Sequence, residues 1–426
     1  MNQPQTLKGF RDFSPAQARV RNFVSQIIRS TFEQFGFEPL ETPTLEYAET
    51  LLKKYSLDTD KETYIFKDLG NRDVGLIYDL TVPTARYLSQ NANSIKFPFK
   101  RYQMQRCYRA EKPQKGRYRE FVQCDIDIFG IKSPQADAEI LACGYSVLQK
   151  LGFANFKYLI NDRNILLDIL KSVGIIDSPK QLLILRILDK LPKIGETAVF
   201  AELASKNIPT PLTAQIFQKI QLAKPNQALQ EIIDLAILMG VPEEKLVFSP
   251  TLTRGADYYT GMVVEGVVEE PKIGSILGGG RYNNLIQSFG GPNTPATGFS
   301  FGFERICEVI GDLNLLKDRI NNYPCKVLVC LLYSPYPPNL PNLPSSILSL
   351  AFKTASFLRE NNISCQVYLN PQDDLKKQLK FASEKNIPYA IIIGPDEVKK
   401  EVVTLKNLNN RTQTESRPDS LLALIS

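Results

Sequence analysis

The sequence predicts an α+β protein in which an antiparallel-sheet domain is interrupted by a helical segment and followed by a separate α/β domain. Three observations carry this. From Arg119 the chain alternates, with Glu120, Val122, Cys124, Ile126 and Ile128 on one side and Arg119, Phe121, Gln123, Asp125 and Asp127 on the other. That period of two marks a strand with one mostly apolar and one polar face. Residues 102–109 are also strand-like and 111–116 (EKPQKG) have the composition of a loop, so the whole reads as a long antiparallel hairpin. Next, from Arg163 to about Gly240 short amphipathic helices are broken at Pro179, Pro192, Pro209, Pro211 and Pro225. Finally, from Lys326 the strands VLVCLLY, SCQVYL and YAIIIG alternate with helices at about 346–360 and 373–385, the pattern of an α/β domain. These changes divide the chain at 1–160, 161–245, 246–320 and 325–426, the first and third being parts of one domain.

In order along the chain, Ser14-Pro15 starts a helix, with Ser as N-cap and Pro at the first helical position. Val20, Phe23, Val24, Ile27, Ile28, Thr31, Phe32 and Phe35 recur at helical spacing until Gly36 stops the run. Residues 37–47 (FEPLETPTLEY) carry Pro39 and Pro43 and are extended, at an edge or bend. Asp79 and Thr81 lie two apart on one side of an extended segment; they either cap a helix at 84–88 or bind a ligand, and Thr81 can cap while Asp79 binds. Helix follows the hairpin at 136–151, then strand at 155–160. Strand returns at 251–268 (TLTRGADYYTGMVVEGVV), and 298–306 (GFSFGFERI) is a strand running into a helix. A Pro-rich stretch at 334–344 has no predicted structure.

A chain of 426 residues buries a substantial core without covalent staples. Seven cysteines, an odd number with no CxxC pair, argue against a disulfide framework and a Cys-based zinc site, and fit a reducing cytoplasm. The amino terminus has no apolar signal core and no run is long enough to span a bilayer, so a soluble protein without a membrane is expected. The net charge of +6 permits a nucleic-acid partner without demanding one. Local clustering is stronger: Lys96 to Arg119 holds nine Lys or Arg and one acid, Glu111, and such a stretch expects an anion. There is no histidine. That excludes a Ser-His triad, a His-ligated metal and a His acid or base, leaving charge placement, carboxylates or Lys to carry chemistry. An acid limb near pH ~6.5 would then belong to a substrate, with a shifted Cys, carboxylate or terminal amine as the exception.

The alternative for a basic hairpin is a solvated, salt-bridged outer face, but the string RCYRAEKPQKGRYREFVQCDIDIFG resembles motif 2 of class II aminoacyl-tRNA synthetases, in its histidyl-tRNA synthetase version. RGADYYTG and GGGRY match the two histidine signatures of that family, GFSFGFERI resembles motif 3, FEPLETPTLEY motif 1, and LKKQLKFASEKNIPYAIIIG the anticodon-binding domain. The resemblance covers nearly the whole chain. It implies a class II antiparallel-sheet catalytic domain with a helical insertion, a C-terminal α/β anticodon-binding domain, and a homodimer built through motif 1. It further implies histidine activation by ATP with Mg2+ bridging the phosphates, then transfer to the 3′ end of tRNA(His).

By the same resemblance, Arg109 and Arg254 are catalytic at the reacting phosphate. Arg109, Glu111, Arg117, Phe121 and Arg305 bind ATP, with Phe121 stacking on adenine. Asp79, Thr81, Gln123, Asp127, Arg254, Tyr258, Tyr259 and Tyr282 bind histidine, and Gln114 meets the tRNA acceptor end. In GGGRY bare backbone approaches the substrate. A catalytically silent relative, the synthetase-like regulatory subunit of ATP phosphoribosyltransferase, is the alternative. That family typically lacks the anticodon domain and erodes motif 2, so the four arginines and the tail argue against it.

Overall fold

Ser14 and Gln17 close a reciprocal capping box: Ser14 N–H donates to Gln17 Oε1 (2.9 Å) and Gln17 N–H to Ser14 Oγ (3.4 Å). From this cap runs α1 (Pro15–Gln34), whose Val24, Ile28, Thr31 and Phe32 are buried. It is followed by Gly36 at φ +75°, as the sequence predicts. The computed structural model describes residues 3–52, 62–254, 258–317, 319–321, 323–332, 345–370 and 373–425. They fall into two units, Met1–Lys317 and Asp318–Ser426.

The proline-containing segment after α1 is extended, as β1 (Glu38–Pro39) and β2 (Leu45–Tyr47); α2 (Ala48–Leu52), β3 (Ile65–Lys67) and β4 (Asp73–Leu76) follow. Strands β2, β4 and β3 form a small sheet. The next helix, α3 (Thr81–Asn91), starts earlier than expected and is capped differently. Thr81 is its first residue rather than its cap; Asp79 Oδ1 accepts the Val82 N–H at 3.1 Å. Pro83 permits the earlier start, because a first helical turn needs no N–H there.

The hairpin is β5 (Phe99–Tyr108) and β6 (Glu120–Phe129), antiparallel with Arg101 opposite Asp127 and Gln103 opposite Asp125. Its polar face is not solvated: Arg101, Gln103, Gln123, Asp125 and Asp127 are all buried. After α4 (Pro134–Lys150) and β7 (Phe156–Asp162) come α5 (Arg163–Ser172), α6 (Ser178–Leu188), α7 (Leu191–Ser205), α8 (Thr210–Gln221) and α9 (Gln227–Leu238). Pro179, Pro192 and Pro211 sit in the first turns of α6, α7 and α8, so they begin helices as much as they separate them. Leu166, Ile184, Val199 and Phe217 draw α5 to α8 around one apolar cluster, whereas α9 packs on α4.

The first unit closes with β8 (Leu246–Phe248), β9 (Met262–Val268), β10 (Leu277–Tyr282), α10 (Leu285–Ser288), β11 (Ala296–Gly302) and α11 (Phe303–Leu313). The main sheet has the order β1-β5-β6-β11-β10-β9-β7-β8. Its central pairings are antiparallel, and only the edge pairs β1/β5 and β7/β8 are parallel. Strand was expected from residue 251 but begins at Met262. Arg254 takes φ +52°, a left-handed conformation that no strand accommodates.

In the second unit β12 (Val327–Leu331), α12 (Ser345–Glu360), β13 (Cys365–Val367), α13 (Leu375–Glu384) and β14 (Tyr389–Ile393) follow the expected alternation. Then α14 (Pro395–Lys400), β15 (Val403–Asn407) and β16 (Gln413–Ser416) extend the sheet to the order β13-β12-β14-β15-β16, parallel in the first three strands and antiparallel in the last two. The Pro-rich stretch 334–344 lies outside the described residues. No helix among those described is long and apolar enough to cross a membrane.

Candidate functional site

The main sheet of the first unit carries a cavity of about 850 Å³ over β6, β10 and β11. Glycines make two parts of it possible. A Cβ on Gly298 would lie 2.0 Å from Asp127 Oδ1, so only glycine at that register leaves room for the carboxylate. A Cβ on Gly278 would lie 1.7 Å from Arg254 Nη1. The bare backbone expected at the glycine run is therefore covered at Gly278 by the Arg254 guanidinium, and the run itself is a strand.

One end of the cavity is rich in acceptors. Tyr282 O–H donates to Asp127 Oδ1. Beneath it Arg101, fully buried, places Nη2 2.5 Å from Asp127 Oδ2 and 4.0 Å from Asp125 Oδ2. Arg101 Nε and Nη1 and Gln123 Oε1 are buried with no hydrogen-bond partner among the described residues. Burial pushes Asp127 up to about 7 and Asp125 up to about 6, with Arg101 opposing the rise in both. These are the shifted carboxylates that the sequence left as an exception. Tyr258 packs between Tyr259, whose ring is tilted to it (4.7 Å between centroids), and Tyr282, which meets it edge-on (5.6 Å), making an aromatic wall. Asp79 and Thr81 also line the cavity, where the Asp79 cap holds the start of α3.

The other end is cationic. Arg109 lies between the rings of Tyr78 (4.3 Å) and Phe121 (4.8 Å) and donates to Tyr78 O at 3.3 Å. Arg305 donates to Ser275 O at 2.7 Å; burial and then the Arg117 charge push its pKa down. Arg254 reaches Glu265 Oε1 at 3.1 Å, and Ser275 Oγ donates to that same carboxylate at 2.6 Å. Like charges gathered at one wall, one of them lowered by burial and by its neighbour Arg117, form a receptor for a polyanion.

The structure thus brings Asp79, Thr81, Arg109, Arg117, Phe121, Gln123, Asp127, Arg254, Tyr258, Tyr259, Tyr282 and Arg305 to one cavity. Glu111 and Gln114 do not line it. Glu111 pairs with Arg117, and Gln114 is exposed in the hairpin loop, bridged by backbone to Arg117. Sequence reasoning missed Arg101, Asp125 as a partner of Arg101, and Glu265. It also missed Glu304, whose carboxylate accepts from Arg21 (2.7 and 2.9 Å), Arg11 and the Val122 N–H (3.1 Å), fastening α11 to the root of β6. The signal for Arg101 was its place in the basic run, but the run does not say which cation turns inward.

The family pattern for histidyl-tRNA synthetase matches residues 9–306, and that for the anticodon-binding domain matches 340–426. A histidine-tRNA ligase of Treponema denticola is 35% identical, with 97% of this chain and 96% of that protein aligned. One of Wolinella succinogenes is 36% identical over 95% and 94%. The crystal structure of histidyl-tRNA synthetase from Nostoc sp. PCC 7120 superposes with a TM-score of 0.83 at 27% identity, covering 100% of this chain and 99% of that one. Full-length ligase relatives, together with an anticodon-domain match, leave the regulatory-subunit alternative unfavoured. With motifs, fold and relatives agreeing along nearly its whole length, the chain belongs to the histidyl-tRNA synthetase family.

Proposed function

We propose that the two ends of the cavity hold the two reactants of amino-acid activation, histidine at the acceptor end and ATP at the cationic end. The chain is a ligase of histidine and tRNA. In the first step a carboxylate oxygen of histidine bonds to the α-phosphorus of ATP while the bond to pyrophosphate breaks. The nucleophile is already ionised, so the obstacle is an anion meeting a polyanion, which fixed cations offset. Arg109 and Arg254 flank the α-phosphate, Arg117 and Arg305 take the outer phosphates, and Phe121 covers adenine. In the second step a terminal ribose hydroxyl of the tRNA bonds to the acyl carbon, AMP leaves, and the proton passes to the phosphate of AMP. Magnesium would be held mainly by the phosphates and would offset their charge, with Glu265 beside Arg254 as the protein carboxylate on this wall; no cluster of metal-ligating side chains among the described residues could hold the ion unaided.

Asp127 with Tyr259 and Tyr282 reads the ring; Asp79, Thr81 and Gln123 receive the ammonium. A site whose buried polar groups stay unpaired with a wrong amino acid rejects it by roughly 10⁴-fold or more. Glu111, placed on Arg117, steadies the ATP side, and Gln114 at the exposed loop meets the acceptor end of the tRNA. Segment 37–47, with Leu45 and Tyr47 exposed, is the homodimer contact, and the compartment is the cytoplasm. The joining of four guanidiniums to a buried acceptor cluster in one cavity carries this reading. Amino-acid-dependent pyrophosphate exchange across the twenty amino acids tests it: exchange is expected with histidine alone, and exchange with another amino acid of equal kcat/KM overturns it.

Two outcomes follow. Asp127→Asn is expected to lose about 1.5–3 kcal/mol of histidine binding while sparing ATP, because the charge-assisted acceptor is gone. Histidine affinity measured by calorimetry checks it, and unaltered affinity makes Asp127 structural. A chain ending at Lys317 retains every cavity residue. It is expected to form adenylate but charge tRNA poorly, and equal charging of tRNA by the short and full chains would remove the anticodon role from the second unit.

A further inference from the structure

At the acceptor end Asp125 has no task in the reading above. It is 4% exposed, and Gln123 Nε2 donates to its Oδ2 at 3.0 Å. Gln123 Oε1, at the opposite end of that amide, is buried without a partner among the described residues, and Gln123 lines the cavity. The two ends of a glutamine amide have nearly the same shape, and only their partners decide which end points where. An ionised carboxylate accepts and cannot donate. Asp125 therefore takes the NH2 group, and the carbonyl oxygen is left as the free end. Turned the other way, the same side chain would offer two N–H donors, the wrong polarity for an ammonium.

Arg101 completes the arrangement. Fully buried, it lies 4.0 Å from Asp125 and 2.5 Å from Asp127, so one cation supports both carboxylates of β6. Burial raises both acids and Arg101 opposes that rise, which favours the ionised, acceptor-only form of Asp125.

We propose that Asp125 is a positioning residue for amino-acid recognition: by holding Gln123 Nε2 it fixes Gln123 as an acceptor, so that Oε1 and Asp79 together receive the substrate ammonium. This rests on the reading of the acceptor end as the histidine site. An asparagine at 125 can present either a donor or an acceptor to Gln123, and so no longer enforces the orientation.

The experiment is pyrophosphate exchange with the full chain, titrating histidine and ATP separately. For Asp125→Asn the histidine KM is expected to rise about 10-fold or more, with kcat and the ATP KM within about 3-fold, since the loss is of binding to one substrate. The exchanged pair Gln123→Glu with Asp125→Asn keeps one carboxylate and one amide in the same space. There the introduced amide at position 125 donates to the introduced carboxylate at position 123. The other oxygen of that carboxylate accepts whatever the amide does, and the histidine KM is expected to return to within about 3-fold of the unaltered protein. A purely structural Asp125 would show no such rescue. A histidine KM within about 2-fold in the single variant overturns the proposal, as does an exchanged pair as impaired as the single variant. If Asp125→Asn fails to fold, the exchanged pair decides alone. Gln123→Ala separates the two layers. With that KM raised and Asp125→Asn silent, the histidine reading stands and Asp125 has no role; with it unchanged, Gln123 is no ammonium ligand and both readings fall.

Discussion

Arg254→Ala is expected to slow adenylate formation by about 10²-fold or more while changing histidine and ATP binding little. The structure gives the reason. The Arg254 guanidinium rests on Gly278 with Glu265 as counter-ion at 3.1 Å and a long contact to Val264 O at 3.4 Å. A cation already neutralised by a carboxylate contributes little to holding ground-state ATP. Its contribution grows as charge builds at the reacting phosphate, so its loss falls on kcat rather than KM. Rapid-quench measurement of adenylate formation at saturating substrates decides this, and an unchanged rate with raised KM would make Arg254 a binding residue. The backbone adds a control. At φ +52° a side chain costs roughly 1–2 kcal/mol that glycine does not. Arg254→Gly should therefore be as inactive as the Ala variant and unfold at a higher denaturant concentration than it.

What could be read from the sequence follows the range of each physical signal. Period-two alternation at 120–128 depends only on neighbours, and it marks β6 and puts Gln123, Asp125 and Asp127 on its polar face; that this face is buried is seen only in the fold. The Ser14 cap and the Gly36 stop are likewise local, and both hold. Strand pairing is not local. Arg101 and Asp127 are 26 residues apart and become opposite only through the register of the β5–β6 hairpin. The composition of Lys96–Arg119 therefore announced an anion but could not single out the cation that neutralises two buried acids. Nor does a residue type reveal its own backbone angle: RGADYYTG reads as strand because Tyr and Thr favour strands, whereas Arg254 turns left-handed. The glycine run reads as open backbone, whereas the side chain that covers Gly278 comes from 24 residues earlier. Cavity membership of the arginines and tyrosines came from motif resemblance. The acceptor cluster beneath them needed the folded sheet.

Arg101→Met is expected to destabilise the protein by about 3–5 kcal/mol at pH 8, and by less at pH 6, because it leaves two buried carboxylates without their cation. The sign follows from linkage. Asp125 and Asp127 have folded pKa values raised to about 6 and about 7, chiefly by burial. Their contribution is fully present below the ordinary carboxylate range of about 4, and is lost as pH rises through 6 and 7. Arg101 is the influence that lowers both values, so without it they rise further, and the variant goes on losing stability above pH 7 where the unaltered protein no longer does. Urea unfolding at pH 6 and pH 8 measures this, and an equal loss at both would mean that Arg101 packs rather than neutralises. The same pair changes the expectation for catalysis. A limb in kcat/KM near pH ~6.5 has three sources in a chain without histidine: the imidazole of the substrate, the terminal phosphate of ATP, and these carboxylates. A ring-fluorinated histidine moves the first and leaves the other two in place, and the Arg101 variant moves only the carboxylates. A limb that stays put with the analogue, and moves upward in Arg101→Met, belongs to Asp125 and Asp127, and the site then binds its substrate through titrating acids as well as fixed charges.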